Sequence, residues 1–155
     1  MSFTGVDSLD ASISKSNAWL ADIDAAFGTK DRRLAYRVLR AWLHSVRDAL
    51  SVEVAAHLAA QLPELLRGVF FDGWNPSKVP HKYDRAEFIT RFAREAQVRD
   101  SDVSKSARIV TSVARQHMSP GGVTHPFEHL PAGVREVLEP ELADTAAGQR
   151  RADLG

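Results

Sequence analysis

The sequence contains no cysteine, and this absence removes several kinds of chemistry at once. Disulfide bonds, thiolate nucleophiles and cysteine-ligated zinc are all excluded. Long apolar runs are missing too, since no stretch approaches the roughly 20 residues that a membrane-spanning helix needs. The segment from Met1 to Asp10 has neither a positive start nor an apolar run, so it does not look like a signal peptide. From these absences we expect a cytoplasmic protein with no membrane contact.

An excess of charge of either sign is also absent. Lys and Arg together number 20, Asp and Glu together number 20, and the formal net charge is zero. This balance argues against a protein whose whole surface binds nucleic acid, although a local basic patch stays compatible with it. Apolar residues make up 44% and charged residues 26% of the 155 residues, which is typical of one globular domain.

The alternating β-branched pattern of a half-buried strand is not found, whereas apolar residues recur at helical spacing. The spacing predicts an all-α fold of about eight helices, which form one compact bundle-like domain over residues 14–139. We expect its halves, 14–71 and 83–139, to be joined by a Gly/Pro-rich crossing at 72–82, and the termini 1–13 and 140–155 to be flexible.

Local signals place several helix ends. The first helix is predicted over about 16–27, with Gly28 as its C-terminal glycine. Asp84 with Glu87, flanked by Tyr83 and Phe88, has the spacing of an N-cap pair and a hydrophobic staple. Other predicted starts are the caps Asp31 and Ser51, the N-terminal prolines Pro63 and Pro131, a cap at Asp100 or Ser101, and a short helix after Ser119-Pro120.

The apolar faces of these helices predict the core. One face of each helix carries the apolar residues at spacings of three and four. The predicted core residues are Trp19, Leu20, Ile23, Phe27, Leu34, Val38, Leu39, Trp42, Val46, Ala49, Leu65, Leu66, Val69, Phe70, Phe88, Ile89, Phe92, Val103, Ala107, Val110, Val113, Ala114, Val134, Val137 and Leu138.

The two halves also resemble each other. A shift of 68 positions places Arg40 on Arg108 and Arg47 on Arg115, and it aligns Leu62-Pro63 with Leu130-Pro131. Chance similarity between helices of like composition is the alternative. The joint agreement of the helix starts and the Arg positions favours an internal repeat, with two four-helix units packed about a pseudo-twofold axis.

Three segments carry a family resemblance. Leu62-Pro63-Glu64-Leu65-Leu66-Arg67, then Gly73-Trp74-Asn75-Pro76, then Glu87-Phe88 are similar to the bacterial domain of unknown function 2267. The resemblance covers about 19–138 and implies an all-helical cytoplasmic protein made of two related halves. It implies no established activity, so it supplies no catalytic residue. Gly121, Gly122 and Pro126 depart from the first half, so we expect the third helix of the second half to be short or irregular.

Basic residues line one side of the second predicted helix, where Arg33, Arg37, Arg40, His44 and Arg47 share a narrow face. The second half repeats this face as Lys105, Arg108 and Arg115, with Ser112 at the histidine position. Two such ridges could bind the phosphates of RNA, DNA or a ribosomal surface. The alternative is an ordinary solvated face whose cations pair with neighbouring acids.

The crossing is the second candidate surface. It concentrates aromatic, polar and basic groups on a short connection, and we single out Trp74, Asn75, His81 and Lys82, with Ser77, Lys78 and Tyr83 nearby. Such a loop is a common type of partner-binding surface. The alternative for Trp74 is a packing role, in which it covers the seam between the halves.

Metal and enzyme motifs are not found. His125 and His129 have a metal-ligand spacing with His117 nearby, but Pro126 lies between them and no HExxH or His-rich cluster accompanies them. No GxSxG, Walker or GxGxxG motif occurs, and helix capping explains the carboxylates at helix starts. We therefore expect no metal, no cofactor and no catalytic residue.

From the sequence we favour a non-enzymatic binding or adaptor protein. Its partner would be an unidentified protein or a second copy of the chain. The alternative is a nucleic-acid or ribosome-associated factor that binds phosphates through the Arg-lined faces. An enzyme with an unfamiliar site is the third possibility.

Overall fold

A computed structural model describes residues 3–139, and every regular element in that range is helical. The α-helices are, in chain order, α1 Asp7–Phe27, α2 Arg32–Asp48, α3 Val52–Ala59, α4 Glu64–Phe71, α5 Arg85–Ala96, α6 Val103–His117, α7 Thr124–Phe127 and α8 Ala132–Leu138. Short 3-10 turns at Pro76–Lys78 and Asp100–Asp102 precede α5 and α6. The predicted all-α fold is confirmed.

Helix α2 lies at the centre of the fold and packs against α1, α4, α5 and α6. Every residue from Ala41 to Leu50 is buried, and the polar residues His44, Ser45, Arg47 and Asp48 belong to this stretch. Buried polar groups need partners inside the protein, because burial without a hydrogen bond costs free energy. The hydrogen-bond partners of these buried polar side chains therefore determine the role of the basic face of α2.

The helix pairings have the exchange symmetry that a duplicated fold requires. In the first half, α1 packs on α2 and both pack on α4; in the second, α5 packs on α6 and both pack on α8. Between the halves, α2 packs on α5 and α1 packs on α6. Swapping the halves exchanges these pairs, which is consistent with the internal repeat. The repeat itself stays a prediction.

The core extends through both halves. Its largest fully buried side chains include Trp19, Trp42, Phe70, Phe88, Phe92 and Phe127. The indole N–H of Trp42 donates to the hydroxyl of Thr111 at 3.0 Å, so α2 and α6 are joined by a buried hydrogen bond as well as by apolar packing. Most predicted core residues are buried or half-buried in this cluster.

Leu65 is the exception, since its residue is 50% exposed while Leu66 is 3% exposed. Leu66 and Phe70 are four residues apart on α4 and share its buried face. Leu65 lies about 100° around the helix from Leu66, so it faces away from that side. The prediction of Leu65 as a core residue is wrong.

The predicted caps are largely confirmed. Gly28 ends α1 in the left-handed region at φ 72°, where glycine has no steric penalty. Tyr83 and Phe88 pack with their rings 6.3 Å apart, as a hydrophobic staple does. Three N-cap side chains accept a backbone N–H three residues later: Asp31 from Leu34 at 3.1 Å, Ser51 from Val54 at 3.3 Å, and Asp84 from Glu87 at 2.8 Å.

Helix α1 is longer than predicted. It begins at Asp7, so the expected flexible segment is wrong for residues 7–13. Ser12 and Ser16 are buried on the inner side of this helix, and the Ser12 hydroxyl accepts the backbone N–H of Leu65 at 2.8 Å. A buried face lined by serines has no apolar period, which is why the pattern missed it. The predicted flexible segment 140–155 lies outside the described residues.

The start of two later helices also differs from the prediction. Neither Asp100 nor Ser101 caps α6, because the 3-10 turn at Asp100–Asp102 leads into Val103 without a side-chain cap. Helix α7 begins at Thr124, after the two glycines, and not at Ser119-Pro120. Pro63 and Pro131 stand one residue before α4 and α8, within the usual variation of helix boundaries.

Candidate functional site

The crossing at 72–82 is an ordered connection. The Asn75 carboxamide oxygen accepts the backbone N–H of Ser77 at 3.1 Å and so caps the 3-10 turn. Further along, the backbone N–H of His81 donates to the carbonyl oxygen of Asp48 at 2.7 Å, which ties the crossing to the end of α2. The backbone of the crossing therefore follows a defined path between α4 and α5.

Between the crossing and the helices lies a cleft of about 170 Å³, which we call the crossing cleft. Helix α2 contributes Asp48 and helix α5 contributes Arg91. The crossing contributes the rest of the lining, which is Gly73, Asn75, Lys78, Val79 and His81. Polar groups from three separate parts of the chain thus converge on one small concave surface.

The carboxylate of Asp48 is the buried acid of this cleft. Arg47 binds it through two hydrogen bonds, Nε to Oδ1 at 2.7 Å and a terminal nitrogen to Oδ2 at 3.1 Å. Arg91 donates to the same carboxylate from α5. Two guanidinium groups therefore surround one carboxylate, and with Lys78 the cleft has more positive than negative charge.

Arg91 is held from a second side by Tyr83. It donates to the Tyr83 hydroxyl, and its guanidinium carbon lies 5.4 Å from the centre of the Tyr83 ring. Burial raises the pKa of Tyr83 to about 12, although the neighbouring Arg91 works against this rise. The phenol therefore stays protonated at neutral pH.

The front basic face, Arg33, Arg37, Arg40, His44 and Arg47, is mostly not a surface ridge. Arg47 is 3% exposed and donates to the backbone oxygens of Phe70 and Asp72, both at 2.8 Å. Arg37 donates to the carbonyl oxygen of Ala96 at 3.1 Å, at the C-terminal end of α5. The prediction of Arg47 as an exposed phosphate contact is therefore wrong, because α4 and α5 pack on this side of α2. For the half-buried Arg37 the phosphate contact stays a prediction.

Arg40 and His44 pair with acids from other elements. Arg40 donates to Asp72 at 2.7 Å and lies 3.5 Å from a carboxylate oxygen of Glu95. The Arg40 guanidinium holds the pKa of the Asp72 carboxyl below its ordinary value. His44 contacts Glu95 through Nδ1 and the carbonyl oxygen of Val69 through Nε2 at 2.7 Å. Both partners are acceptors, so both ring nitrogens can donate only in the imidazolium form.

Fewer cations of the two predicted basic faces are exposed than the sequence predicted. Arg33 lies near the start of α2, and Lys105 and Arg108 lie on α6; none of the three makes an ion pair with a residue in 3–139. Arg115 differs, because it donates to the Thr124 hydroxyl at 2.9 Å and pairs with Glu139. The second face is therefore exposed at Lys105 and Arg108 and engaged at Arg115.

The four crossing candidates divide into packing and exposed residues. Trp74 is half-buried against the core, with its ring 5.1 Å from the ring of Phe71, so it packs on the end of α4. Asn75, His81 and Lys82 are exposed. The His81 ring lies 4.1 Å from the Tyr83 ring, which fixes its position beside the crossing cleft.

Among residues 3–139, no three His, Asp or Glu side chains are grouped in a way that could hold a metal ion. His125 and His129 lie near each other, with ring centres 5.3 Å apart, at the short helix α7. Within the same range, the helices lack the combination of length and apolar character that crossing a bilayer requires.

Sequence reasoning missed two central members of the crossing cleft, Asp48 and Arg91. They come from the end of one helix and the middle of another, 43 positions apart, and no local pattern connects them. Their pairing becomes visible only when α2 and α5 are packed together. The sequence signal that came closest to predicting this pairing is the cap at Asp84, because it fixes the direction in which α5 leaves the crossing.

Comparison with known proteins adds the family. No curated protein matches this chain significantly. The sequence profile of the family described as "Uncharacterized conserved protein (DUF2267)" matches residues 16–137, a range that includes the crossing cleft and both basic faces. Because this match covers well over half of the 155 residues, the chain belongs to the DUF2267 family.

Proposed function

We propose that this chain is a non-enzymatic cytoplasmic binding or adaptor protein, and that its partner presents an acidic segment to the crossing. The observation that carries the proposal is the anchored crossing. Its backbone is tied to α2 through His81 and Asp48 at 2.7 Å, while its basic side chains are exposed. A preorganised loop loses less conformational entropy on binding than a mobile one.

The charges around the crossing favour an acidic partner. Lys78, His81 and Lys82 are exposed, and Arg91 lines the cleft beside them. The acid in the cleft, Asp48, is already bound by two guanidinium groups. Glu87 of α5 stands 3.6 Å from His81, so it partly offsets the positive charge at this edge, and Lys78 and Lys82 make no ion pair with a residue in 3–139. An incoming carboxylate would therefore meet cations that the protein only partly neutralises.

The same contacts favour binding over catalysis. A general base or nucleophile needs a group that is free to exchange a proton or attack a substrate. Here both oxygens of Asp48 accept hydrogen bonds from arginine, and Tyr83, with its pKa raised to about 12, stays protonated. These groups hold one another in place, which suits a rigid recognition surface.

A second candidate function is phosphate binding by α6. Lys105 and Arg108 are exposed at a spacing of three on one helix face, so both cations could contact one nucleic-acid backbone. Fewer residues support phosphate binding than the sequence suggested, because most of the front basic face contacts acids and carbonyl oxygens inside the protein. We therefore rank this function below the protein-binding role.

The test compares two double charge reversals in the full chain, made at exposed positions. Lys78→Glu with Lys82→Glu alters the crossing, and Lys105→Glu with Arg108→Glu is the matched control on α6. Proteins from the native host are cross-linked to each form, purified and identified. The proposal expects one specific partner that is retained by the wild type and by the α6 variant, and lost by the crossing variant.

Two other results would contradict the proposal. One is a specific partner that the crossing variant retains at the wild-type level. The other is RNA that the wild type retains, whose binding weakens steeply with added salt and is lost only in the α6 variant. The second result would support the phosphate-binding alternative. Sedimentation of the purified chain alone shows whether it self-associates. This measurement distinguishes a second copy of the chain from a different protein as the partner.

A further inference from the structure

Exposed apolar side chains are concentrated beside the start of α1. Of the six large apolar residues that are exposed among those described, four belong to this place: Phe3, Val6, Leu9 and Leu65. Val6 and Leu9 are three residues apart, and the Ser12 hydroxyl, three residues further, accepts the backbone N–H of Leu65 at 2.8 Å. The start of α4 therefore lies against the start of α1. We call these four apolar residues the α1–α4 patch.

The backbone at Phe3 is anchored although it precedes α1. The backbone N–H groups of Phe3 and Thr4 donate to one carboxylate oxygen of Asp10, at 3.2 Å and 2.9 Å. The Phe3 residue is the most exposed of the patch, at 76%. Neighbouring apolar side chains that stay in water mark a surface that a partner covers.

The rim of the α1–α4 patch is acidic. Asp7 begins α1 and Glu64 begins α4; both are exposed, and neither makes an ion pair with a residue in 3–139. The nearest basic residues along the chain are Lys15, two turns further along α1, and Arg67, which donates to carbonyl oxygens at the end of α3. A surface that covers this patch should therefore be basic and should have room for apolar side chains.

The exposed face of α5 carries a groove of about 400 Å³, which we call the α5 groove. Two rows of residues spaced four apart form its sides, as on any helix surface: Tyr83, Glu87 and Arg91 in one row, and Ala86, Thr90 and Arg94 in the other. Arg91 also lines the crossing cleft, so the α5 groove and the crossing are parts of one surface.

The middle of the α5 groove is open, because Ala86 and Thr90 are exposed and short. An apolar side chain of a partner can therefore pack between the two rows. Cations flank the groove: Lys78 and Lys82 on the crossing, and Arg94 at the far end of its row, are exposed and make no ion pair with a residue in 3–139.

The acids beside these cations already have contacts. The Asp84 carboxylate accepts the backbone N–H of Glu87 at 2.8 Å, and Glu87 stands 3.6 Å from His81. Arg91 and Asp48 balance each other in charge. The three flanking cations exceed these two acids, so the crossing and the α5 groove together are positively charged.

The α1–α4 patch and the α5 groove complement each other in charge and in apolar character. We propose that the partner of the crossing is a second copy of this chain, whose α1–α4 patch docks on the α5 groove and the crossing; this rests on the proposed function, because it names the partner of the same surface. The apolar side chains of the patch would pack on Ala86 and Thr90. Asp7 and Glu64 would face the flanking cations. Because the two surfaces differ, the contact is head-to-tail.

Sedimentation velocity of the purified full chain, from about 1 µM to about 1 mM, tests the contact. The wild type should associate with rising concentration, and added salt should weaken the association, because the charges at the rim stay close to water. Asp7→Lys with Glu64→Lys is the patch variant, and Lys78→Glu with Lys82→Glu is the crossing variant. Each should raise the concentration of half-association at least about tenfold. The α6 variant, Lys105→Glu with Arg108→Glu, is the control and should behave as the wild type.

Mixing the patch variant with the crossing variant distinguishes a head-to-tail contact from other contacts. Each variant lacks one surface and keeps the other, so an intact patch meets an intact groove only in the mixture. We expect an equimolar mixture to recover the association of the wild type, and this recovery would also show that both variants are folded. A contact between two identical surfaces predicts a different result, in which one of the variants alone associates as the wild type does.

Three results would overturn the inference: a wild type that stays monomeric over the whole range, a patch or crossing variant that associates as the wild type does, or a mixture that stays monomeric. None of them contradicts the proposed function, because the crossing could still bind an acidic segment of a different protein. The cross-linking to host proteins tests that role separately, since it fails only if the crossing variant retains the host partner.

Discussion

The buried guanidinium of Arg47 donates to the backbone carbonyl oxygen of Phe70 at 2.8 Å, at the C-terminal end of α4. The last carbonyl groups of a helix have no partner within it, and a cation satisfies both their hydrogen bonds and the negative end of the helix dipole. Arg115, which the predicted repeat aligns with Arg47, pairs with Glu139 just after α8. Arg47 therefore stabilises the end of α4, whereas Arg115 contacts the side chain of the residue that follows α8.

The first prediction tests this role of Arg47. Replacing it by methionine keeps the aliphatic stem and removes the guanidinium, which leaves the buried carbonyl oxygens of Phe70 and Asp72 without these donors and Asp48 with one arginine fewer. Loss of one partner from a buried charged network costs about 3–5 kcal/mol. The free energy of unfolding is measured by urea denaturation. Arg33→Met on the same helix is the control, and it should change stability by less than about 0.5 kcal/mol.

If Arg47→Met and Arg33→Met were equally mild, Arg47 would not be a structural residue. The basic face of α2 would then have to be reconsidered as a binding surface.

The second prediction compares two adjacent leucines of α4. Leu66 is 3% exposed, and its truncation to alanine should cost about 2–5 kcal/mol through lost burial and the cavity that remains. Leu65 is 50% exposed, so Leu65→Ala should cost less than about 1 kcal/mol. Thermal and urea unfolding of both variants measures the difference. Similar losses at the two positions would contradict the orientation of α4.

The sequence predicted best those features that depend on neighbours along the chain. The caps at Asp31, Ser51 and Asp84 each involve a side chain and an amide three residues away, and all three hydrogen bonds are present. The apolar faces were also predictable, because helical periodicity and burial are coupled.

The contacts that cover the basic face of α2 could not be predicted in the same way. The helix wheel places Arg47 opposite the apolar arc and therefore toward solvent. In the fold, α4 and α5 pack on that side as well, and the acceptors that satisfy Arg37, Arg40 and Arg47 come from distant parts of the chain. From Ala41 onward α2 has no solvent side, and one helix's own sequence does not reveal how many neighbours surround it.

The third prediction concerns the start of α5. The Asp84 carboxylate accepts the backbone N–H of Glu87 at 2.8 Å, so Asp84→Ala should destabilise the protein by about 0.5–2 kcal/mol. Asp102 stands directly before α6 but makes no capping hydrogen bond with its side chain. Asp102→Ala is therefore the matched control, and its free energy of unfolding should stay within about 0.5 kcal/mol of the wild type. The ordering of the two variants would be reversed if the capping geometry belonged to α6.

The fourth prediction concerns the alkaline limit of stability. Burial raises the pKa of Tyr83 to about 12 from an ordinary value of 10.0. Because the folded pKa lies above the unfolded one, the stabilising effect is complete below about pH 10 and is lost as pH rises toward about 12. The wild type should therefore lose stability across this interval, and Tyr83→Phe, which cannot ionise, should lose less.

The two tyrosines of the chain make this measurement direct. Tyr83 is 5% exposed, so its tyrosinate absorbance should appear only as the pH approaches about 12. Tyr36→Phe leaves Tyr83 as the single tyrosine of the chain, so the absorbance of this variant reports Tyr83 alone. If this variant ionised near pH 10, Tyr83 would be solvated in the folded protein, and the packing of the crossing against α5 would be wrong.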